Sequence, residues 1–322
     1  MAPTCSSGSA ERLVGAPVRA VAPGGRGGNN RLSRVEAVDG RRFALKSYPA
    51  TAGDDRDRLG VEFAALTFLK RHGVAEVPTA LARDDRTGEA LYEWIEGEPV
   101  TAPTAADIDA ALCFAGRLHR LRRSAGAEAL GWASEACTGG ARLVHQTETR
   151  LRRLGEVATR HRGLGEVLDR AGGDLATYRG AALGFGDLAD EARTLSPADF
   201  GFHNALRRPD GGLVFLDFEY FGWDDPVKLA AEFDLHPGMS LPPELSARWR
   251  DGIGAVYDDV PGFDRRLAAF RPLFALRWAL IVLNEFLPER WARRQAAGAT
   301  DAEAARARQL DKARTLLAKV SE

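Results

Sequence analysis

Cysteine is scarce. The 322 residues hold three, Cys5, Cys113 and Cys137. They stand far apart, with no Cys-x-x-Cys pair and no companion histidines at zinc spacing, so neither a zinc site nor a disulfide framework is indicated. A reducing cytoplasm is the compartment that fits. An excess of charge of one sign is also missing. The 44 lysines and arginines meet 45 acids, for a formal charge of −1. No global field therefore draws the chain to nucleic acid or to an anionic membrane surface. The N-terminus lacks a basic stretch leading into an apolar one, as a secretory signal would need. Long apolar runs are absent too. The longest, Leu273 to Leu287, contains Arg277, Asn284 and Glu285, and is expected to be too short and too polar to span a bilayer. No repeat is visible.

What is present is ample apolar material, 45% of residues, in a length that suggests two lobes. Residues 1–9 read as a loose tail. Val18 to Val21 reads as a strand, and a glycine-rich stretch, Pro23-Gly24-Gly25-Arg26-Gly27-Gly28-Asn29-Asn30, follows it. Arg31–Val38 and Arg41–Tyr48 flank Asp39-Gly40, the signal of a type I′ hairpin. A helix is expected from Asp54-Asp55 to Gly73, and a short strand over Leu91–Ile95. Glu96-Gly97-Glu98-Pro99 ends that strand and marks the lobe boundary, giving residues 10–97 and 98–322. Helices are expected over Ala105–Ser124, Ala141–Val157, Leu164–Gly180, Pro243–Tyr257, Pro261–Phe286 with a break near Pro272, and Ala302–Val320. Residues 292–308 read as solvated helix. A hairpin interrupts them, with Ala205–Arg208 and Leu213–Glu219 around Pro209-Asp210-Gly211-Gly212. The fold class is thus α+β.

The glycine stretch joins strand to strand, which excludes a Rossmann turn, and it lacks the Gly-Lys-Ser/Thr of a Walker loop. Two readings remain, a plain hairpin tip or a cradle of backbone amides for phosphate around Gly24, Gly25, Gly27, Gly28 and Asn30. Alternation in Phe43-Ala44-Leu45-Lys46-Ser47-Tyr48 puts Ala44, Lys46 and Tyr48 on one face. Lys46 can reach phosphates there, and the small Ala44 leaves room for a flat base. Glu62 sits on or beside the apolar stripe Leu59, Phe63, Leu66, Leu69. A carboxylate at that place is costly unless paired, and Lys46 is the natural partner. A glutamate snorkelling from the stripe's margin is the plainer possibility.

Later come Asp199, Asn204 five residues on, and Asp217 eighteen after Asp199. That is the spacing by which kinase-fold enzymes set a base and two magnesium ligands around a nucleotide triphosphate. The hairpin between Asn204 and Asp217 can bring the three groups to one end. A carboxylate beside a hydroxyl can accept its proton, and hard oxygen ligands suit magnesium. An ordinary Asp/Asn turn is the competing explanation, but three matches in order after Lys46 and Glu62 outweigh it. His203 and His119 read as structural histidines, and Cys113, Trp278 and Ile281 as core. Arg277, Asn284 and Glu285, on a helix apolar nearly all round, need partners or a polar ligand.

These motifs make the chain resemble the aminoglycoside phosphotransferase and choline kinase-like family, over about residues 12 to 290. The matching stretches are the glycine loop with Asn30, Phe43 to Lys46, Glu62, Tyr92-Glu93-Trp94-Ile95-Glu96-Gly97, Asp199 to Asn204, and Leu216-Asp217-Phe218-Glu219-Tyr220. The resemblance implies a protein kinase-like bilobal fold, with an N-lobe of antiparallel sheet plus one helix and a mainly helical C-lobe. It implies ATP and Mg2+ as cofactors and a small-molecule hydroxyl as substrate. Asp199 would be the base, Asn204 and Asp217 the metal ligands, and Lys46 with Glu62 the phosphate clamp. The backbones of Glu93 and Ile95 would bind the nucleobase. The acceptor would lie near Asp199, Asp224, Asp225 and the 273–286 helix. The local acids Asp217, Glu219, Asp224, Asp225, Glu232 and Asp234 could draw a cation there; a sugar or amino sugar is preferred. Two departures stand out. Pro197 replaces a histidine usual in the family, so bracing of the loop falls to Ser196 or His203, and Lys228 stands where a further Asp is common. Pro197 is also the one hint of a second reading, a nucleotide-binding pseudokinase without turnover. Protein phosphorylation is disfavoured, because no Asp-Phe-Gly to Ala-Pro-Glu segment is present.

Overall fold

The computed structural model describes residues 7–26, 30–49, 56–239, 241–296 and 300–321. Helix α1 (Ser7–Val14) opens the chain, so Ser7 to Ser9 are not tail. Its Ala10, Leu13 and Val14, at spacings of three and four, cover one face of a sheet. The sheet is antiparallel and five-stranded, in the order β1 (Val18–Arg26), β2 (Arg31–Ala37), β3 (Arg42–Ser47), β5 (Glu89–Glu93) and β4 (Ala80–Asp84). Val35, Ala37, Phe43, Leu45 and Leu91 fill the face under α1. The alternate face of β3 carries Ala44 and Lys46.

Three local expectations change. The Asp39-Gly40 turn is not type I′. Gly40 N–H donates to the Ala37 carbonyl at 3.0 Å, and Gly40 alone of the pair has a positive φ, 85°. A type I turn closed by a left-handed glycine results, and Asp39 instead accepts the Arg41 N–H at 3.0 Å. Helix α2 runs Arg58–Arg71, capped by Asp57, whose side chain accepts from Gly60 N–H at 2.8 Å. The expected start at Asp54-Asp55 lies outside the described residues. Strand β4 was not foreseen, because Ala-Leu-Ala-Arg-Asp lacks β-branched and aromatic residues.

These elements belong to the first of two compact units, Met1–Pro103 with Arg120–Ser134 and Leu195–Trp223. The same unit contains β6 (Glu98–Pro99), which pairs with β8 (Ala205–Arg207), and β8 pairs with β9 (Leu213–Phe215). Strands β7 (Thr194–Ser196) and β10 (Gly222–Asp224) pair with each other.

The second unit comprises Thr104–His119, Glu135–Thr194 and Asp224–Glu322. It is helical: α3 (Ala105–Leu121), α4 (Gly140–Ala158), α5 (Leu164–Leu183), α6 (Pro226–Leu235), α7 (Pro243–Val256), α8 (Phe263–Val282), α9 (Pro288–Ala296) and α10 (Ala302–Ala318). Helix α8 packs against α4, α5, α6 and α10. Pro272 lies inside it without a break, since packing on several sides holds a helix that a proline alone would weaken. With the following 3₁₀ turn, Phe263–Phe286 spans 24 residues, long and apolar enough by composition to cross a bilayer. The expectation drawn from Leu273–Leu287 alone was too strict; here the stretch is the unit's core helix.

Polar groups on that helix find partners in the chain. Arg277 donates to Gln146 Oε1 at 2.6 Å and to Glu232. Glu285 accepts from Arg294 at 2.6 Å. His119 lies 2.8 Å from Asp259 and edge-on to Tyr257. Cys113 is exposed rather than core, because the buried stripe Ile108, Ala111, Ala115, Leu118 has the other phase of α3. Trp278 and Ile281 are only half-buried.

Candidate active site

The alternate face of β3 aims Lys46 at α2, and the lysine is paired in both directions. Its Nζ lies 2.6 Å from Glu62 Oε2 and 2.5 Å from Asp217 Oδ1. Glu62, 4% exposed, also accepts from Tyr48 Oη at 2.7 Å and from the Phe218 N–H at 3.4 Å. It is therefore no snorkelling residue, but the hub between β3, α2 and the segment after β9. Burial disfavours the charge on Lys46, yet Glu62, Asp217 and Glu219 together outweigh it and hold its pKa above the ordinary value. Burial and the neighbouring Asp217 push Glu62 up, against the pull of Lys46. Burial likewise raises Tyr48 and Tyr92, whose hydroxyls meet at 2.7 Å.

Glu219 joins this cluster; the sequence reading placed it only among acids that could draw a cationic acceptor. It is 2% exposed, lies 3.9 Å from both Lys46 Nζ and Arg58 Nη1, and accepts from Asn30 Nδ2. Arg58 in turn donates to Asn30 Oδ1 at 3.2 Å and to the Pro49 carbonyl at 2.9 Å. A signal for Glu219 existed in its place two residues after Asp217 within the motif Leu216-Asp217-Phe218-Glu219. None existed for Arg58. Ligand oxygens of Glu62, Asp217 and Glu219 fall within 4.8 Å of one another. Carboxylate oxygens are the donors that a hard divalent cation such as magnesium takes, and Glu62 and Asp217 here hold Lys46 Nζ.

Asp199 and Asn204 lie in the loop before β8. Asn204 Nδ2 donates to the Asp199 carbonyl at 3.0 Å, and His203 Nε2 lies 3.0 Å from Asp199 Oδ1. The loop is tight: Ala198 has φ 64°, and its N–H donates to Ser196 Oγ at 3.1 Å. Both residues named for bracing at Pro197 thus make contacts in the loop. The β8–β9 hairpin returns the chain so that Leu216 N–H donates to the Asn204 carbonyl at 2.8 Å. Asp217 follows at φ 66°, another left-handed backbone.

The remaining residues sit along the sheet. Gly24 and Gly25 are part of β1 and not of a free loop. A Cβ on Gly24 would meet Arg34 N, Leu32 Cγ and the Ser33 carbonyl carbon at 3.1 Å each, so a side chain there would need its neighbours to give by a few tenths of an ångström. Gly27 and Gly28 lie outside the described residues. Ala44 pairs with Arg34 and with Tyr92. Glu93 ends β5, and its side chain accepts from Thr79 Oγ1 at 2.8 Å. Ile95 is buried. Glu93, Trp94, Ile95 and Glu96 line a groove of about 280 Å³ with Arg208, Pro209 and Asp210.

The acids of α6 and of the two residues before it are each paired with a basic side chain. Asp224 pairs with Lys228 at 2.9 Å, Asp225 with Arg266 at 2.5 Å, Glu232 with Lys228 at 3.3 Å, and Asp234 with Arg271 at 2.8 Å. Asp224 and Asp225 are fully buried.

A model of the phosphotransferase enzyme family matches residues 21–270. The chain belongs to that family. Among solved structures, this phosphotransferase is similar to the choline kinase LicA from Streptococcus pneumoniae, with 16% identity over 97% of each chain and a TM-score of 0.60. It is similar to an aminoglycoside phosphotransferase from Alicyclobacillus acidocaldarius, with 17% identity over 100% of this chain and 96% of that one, at 0.54. A spectinomycin phosphotransferase solved with ADP and spectinomycin aligns at 0.65, with 8% identity over 98% and 99%. No curated protein matches the chain. The phosphotransferase thus has the protein kinase-like fold of small-molecule kinases, with an antiparallel sheet in its N-terminal region and helices in its C-terminal region.

Proposed function

We propose that the protein transfers the γ-phosphate of ATP to a hydroxyl of a small molecule: a sugar, an amino sugar or aminoglycoside, or an amino alcohol. The single observation that carries this reading is the paired Lys46 between Glu62 and Asp217, 2.6 and 2.5 Å away. A buried amine held by two carboxylates is aimed and kept charged, which suits phosphate and serves no evident packing need. Residues 10–97 would bind the nucleotide, and residues 98–322 would supply the catalytic loop and the acceptor site.

In this reading Lys46 binds phosphate oxygens and Glu62 fixes its direction. Backbone amides of Gly24, Gly25, Gly27 and Gly28, with Asn30, cover the phosphates. Ala44 leaves room for the base, and the backbones of Glu93 and Ile95 bond to its edge. Asn204 and Asp217 would hold Mg2+, with Glu219 near Asp217; the ion would supply charge neutralisation on the phosphates. Asp199 orients the acceptor hydroxyl. As that oxygen forms its bond to the γ-phosphorus, the bond to ADP breaks and Asp199 takes the proton.

The paired acids of α6 remove one reason to expect a cationic acceptor, and a neutral sugar alcohol fits at least as well. Near-neutral charge and the free thiols of Cys113 and Cys137, the cysteines among the described residues, accord with a cytoplasmic enzyme having no nucleic-acid or membrane partner. A thermal-shift screen tests the reading. Mg-ATP should raise the unfolding temperature, and a true acceptor should raise it further, because each binds the native state. No shift with Mg-ATP at millimolar concentration would count against it.

A further inference from the structure

We propose that His203 positions the Asp199 carboxylate, setting the direction in which it meets the acceptor hydroxyl. The inference rests on the reading of Asp199 as the base. The backbone around Asp199 is held at several points. Ser196 Oγ accepts the Ala198 N–H at 3.1 Å, Asn204 Nδ2 donates to the Asp199 carbonyl at 3.0 Å, and Asn204 N–H donates to the Gly201 carbonyl at 3.0 Å. Phe200 and Phe202, which follow Asp199, are buried, with Phe200 against the Phe215 ring at 5.0 Å.

Those contacts act on the backbone. The last torsion of an aspartate is broad, so its plane turns freely unless an oxygen is held. His203 Nε2, 3.0 Å from Oδ1, holds one oxygen and thereby sets the plane of both. Pro197, two residues before Asp199, has neither an N–H nor a polar side chain with which to do this. The His203 and Asp199 side chains are 18% and 30% exposed. A pair in that setting adds little to stability, so the consequence of removing it falls on geometry, where a small misplacement of a reacting group is costly.

The test compares wild type, His203→Ala, His203→Gln and Asp199→Ala. An alanine at 203 should lower kcat by roughly ten- to a hundredfold while KM for Mg-ATP changes less than about twofold. Glutamine, whose amide can still donate to Oδ1, should recover most of that loss. Unfolding temperatures of the two histidine variants should stay close to wild type. A rise in KM for Mg-ATP with kcat unchanged would overturn the proposal, because it would mean that His203 only supports Asn204. An unchanged kcat would overturn it as well. Nitrogen-15 NMR gives a readout that needs no acceptor. With six histidines in the chain, the His203 resonance is assigned by its loss in His203→Gln. Nε2 should carry a proton, and its shift should move in Asp199→Ala. A bare Nε2, or a shift indifferent to Asp199→Ala, would overturn the proposal whatever the turnover. Should Asp199→Ala keep wild-type turnover, the reading of Asp199 as base would fall instead, whatever the histidine variants show.

Discussion

Lys46 Nζ lies 2.5 Å from Asp217 Oδ1, so the lysine of β3 and the aspartate after β9 neutralise each other across the sequence. In the proposed reaction they separate in task, the lysine to phosphate and the aspartate to metal. Asp217→Asn should therefore weaken nucleotide binding far more with Mg2+ than in EDTA, because it removes the charge that holds the ion. Calorimetric titration with ATP under both conditions measures this. Equal losses would mean that Asp217 serves only as a partner for Lys46.

A second expectation concerns backbone strain. Ala198 has φ 64°, where an L-residue with a Cβ pays about 1 kcal/mol or more. Ala198→Gly relieves that strain but gives the unfolded chain more freedom. Stability should stay level or rise by up to about 1 kcal/mol, measured by urea unfolding. A loss larger than that would show that the alanine side chain makes a contact worth more than the strain.

Much of this arrangement was legible in the sequence because it depends on short-range patterns. Alternation in β3 put Lys46 opposite Phe43 and Leu45, and the phase of α2 put Glu62 against the sheet. The β8–β9 hairpin was legible from Pro-Asp-Gly-Gly. What escaped was set by tertiary contact. The partners of Glu219, Asn30 and Arg58 come from the other end of the unit. Helix α6 has every residue buried, so it shows no polar stripe from which a helical period could be read. Helix α1 hides in a Ser/Gly-rich start, where only its docking on β1 and β4 makes it form. The type I turn at Asp39-Gly40 follows from a backbone choice that the same dipeptide permits in two ways.

Stability should depend on pH through Asp225. Burial pushes this carboxyl up to about 6 from an ordinary 3.8, against the pull of Arg266 and of the Val227 N–H that it caps. Between pH 4 and 6 the unfolded chain has given up this proton and the folded chain still holds it. Stability from this group therefore falls as pH rises through that window, by about 3 kcal/mol in all, and changes no further above it. Asp225→Asn lacks the titration. Its stability relative to wild type should therefore be lowest near pH 4, where the folded wild type still gains from its bound proton, and should improve by about 3 kcal/mol by pH 7. Urea unfolding across that range decides the matter, and a relative stability that falls with pH would be inconsistent with a raised Asp225.

Catalytic phosphoryl transfer with Asp199 as the base is tested most directly by turnover. ATP consumption is followed with a panel of sugars, amino sugars and amino alcohols, for wild type and Asp199→Ala side by side. Wild type should consume Mg-ATP in step with phosphorylation of at least one hydroxyl compound. Asp199→Ala should lower kcat on the order of a hundredfold or more, with little change in KM for ATP, because Lys46, the glycine-rich segment and the metal ligands still hold the nucleotide. A variant that keeps wild-type turnover, or a wild type that binds Mg-ATP and phosphorylates none of these compounds, would contradict it.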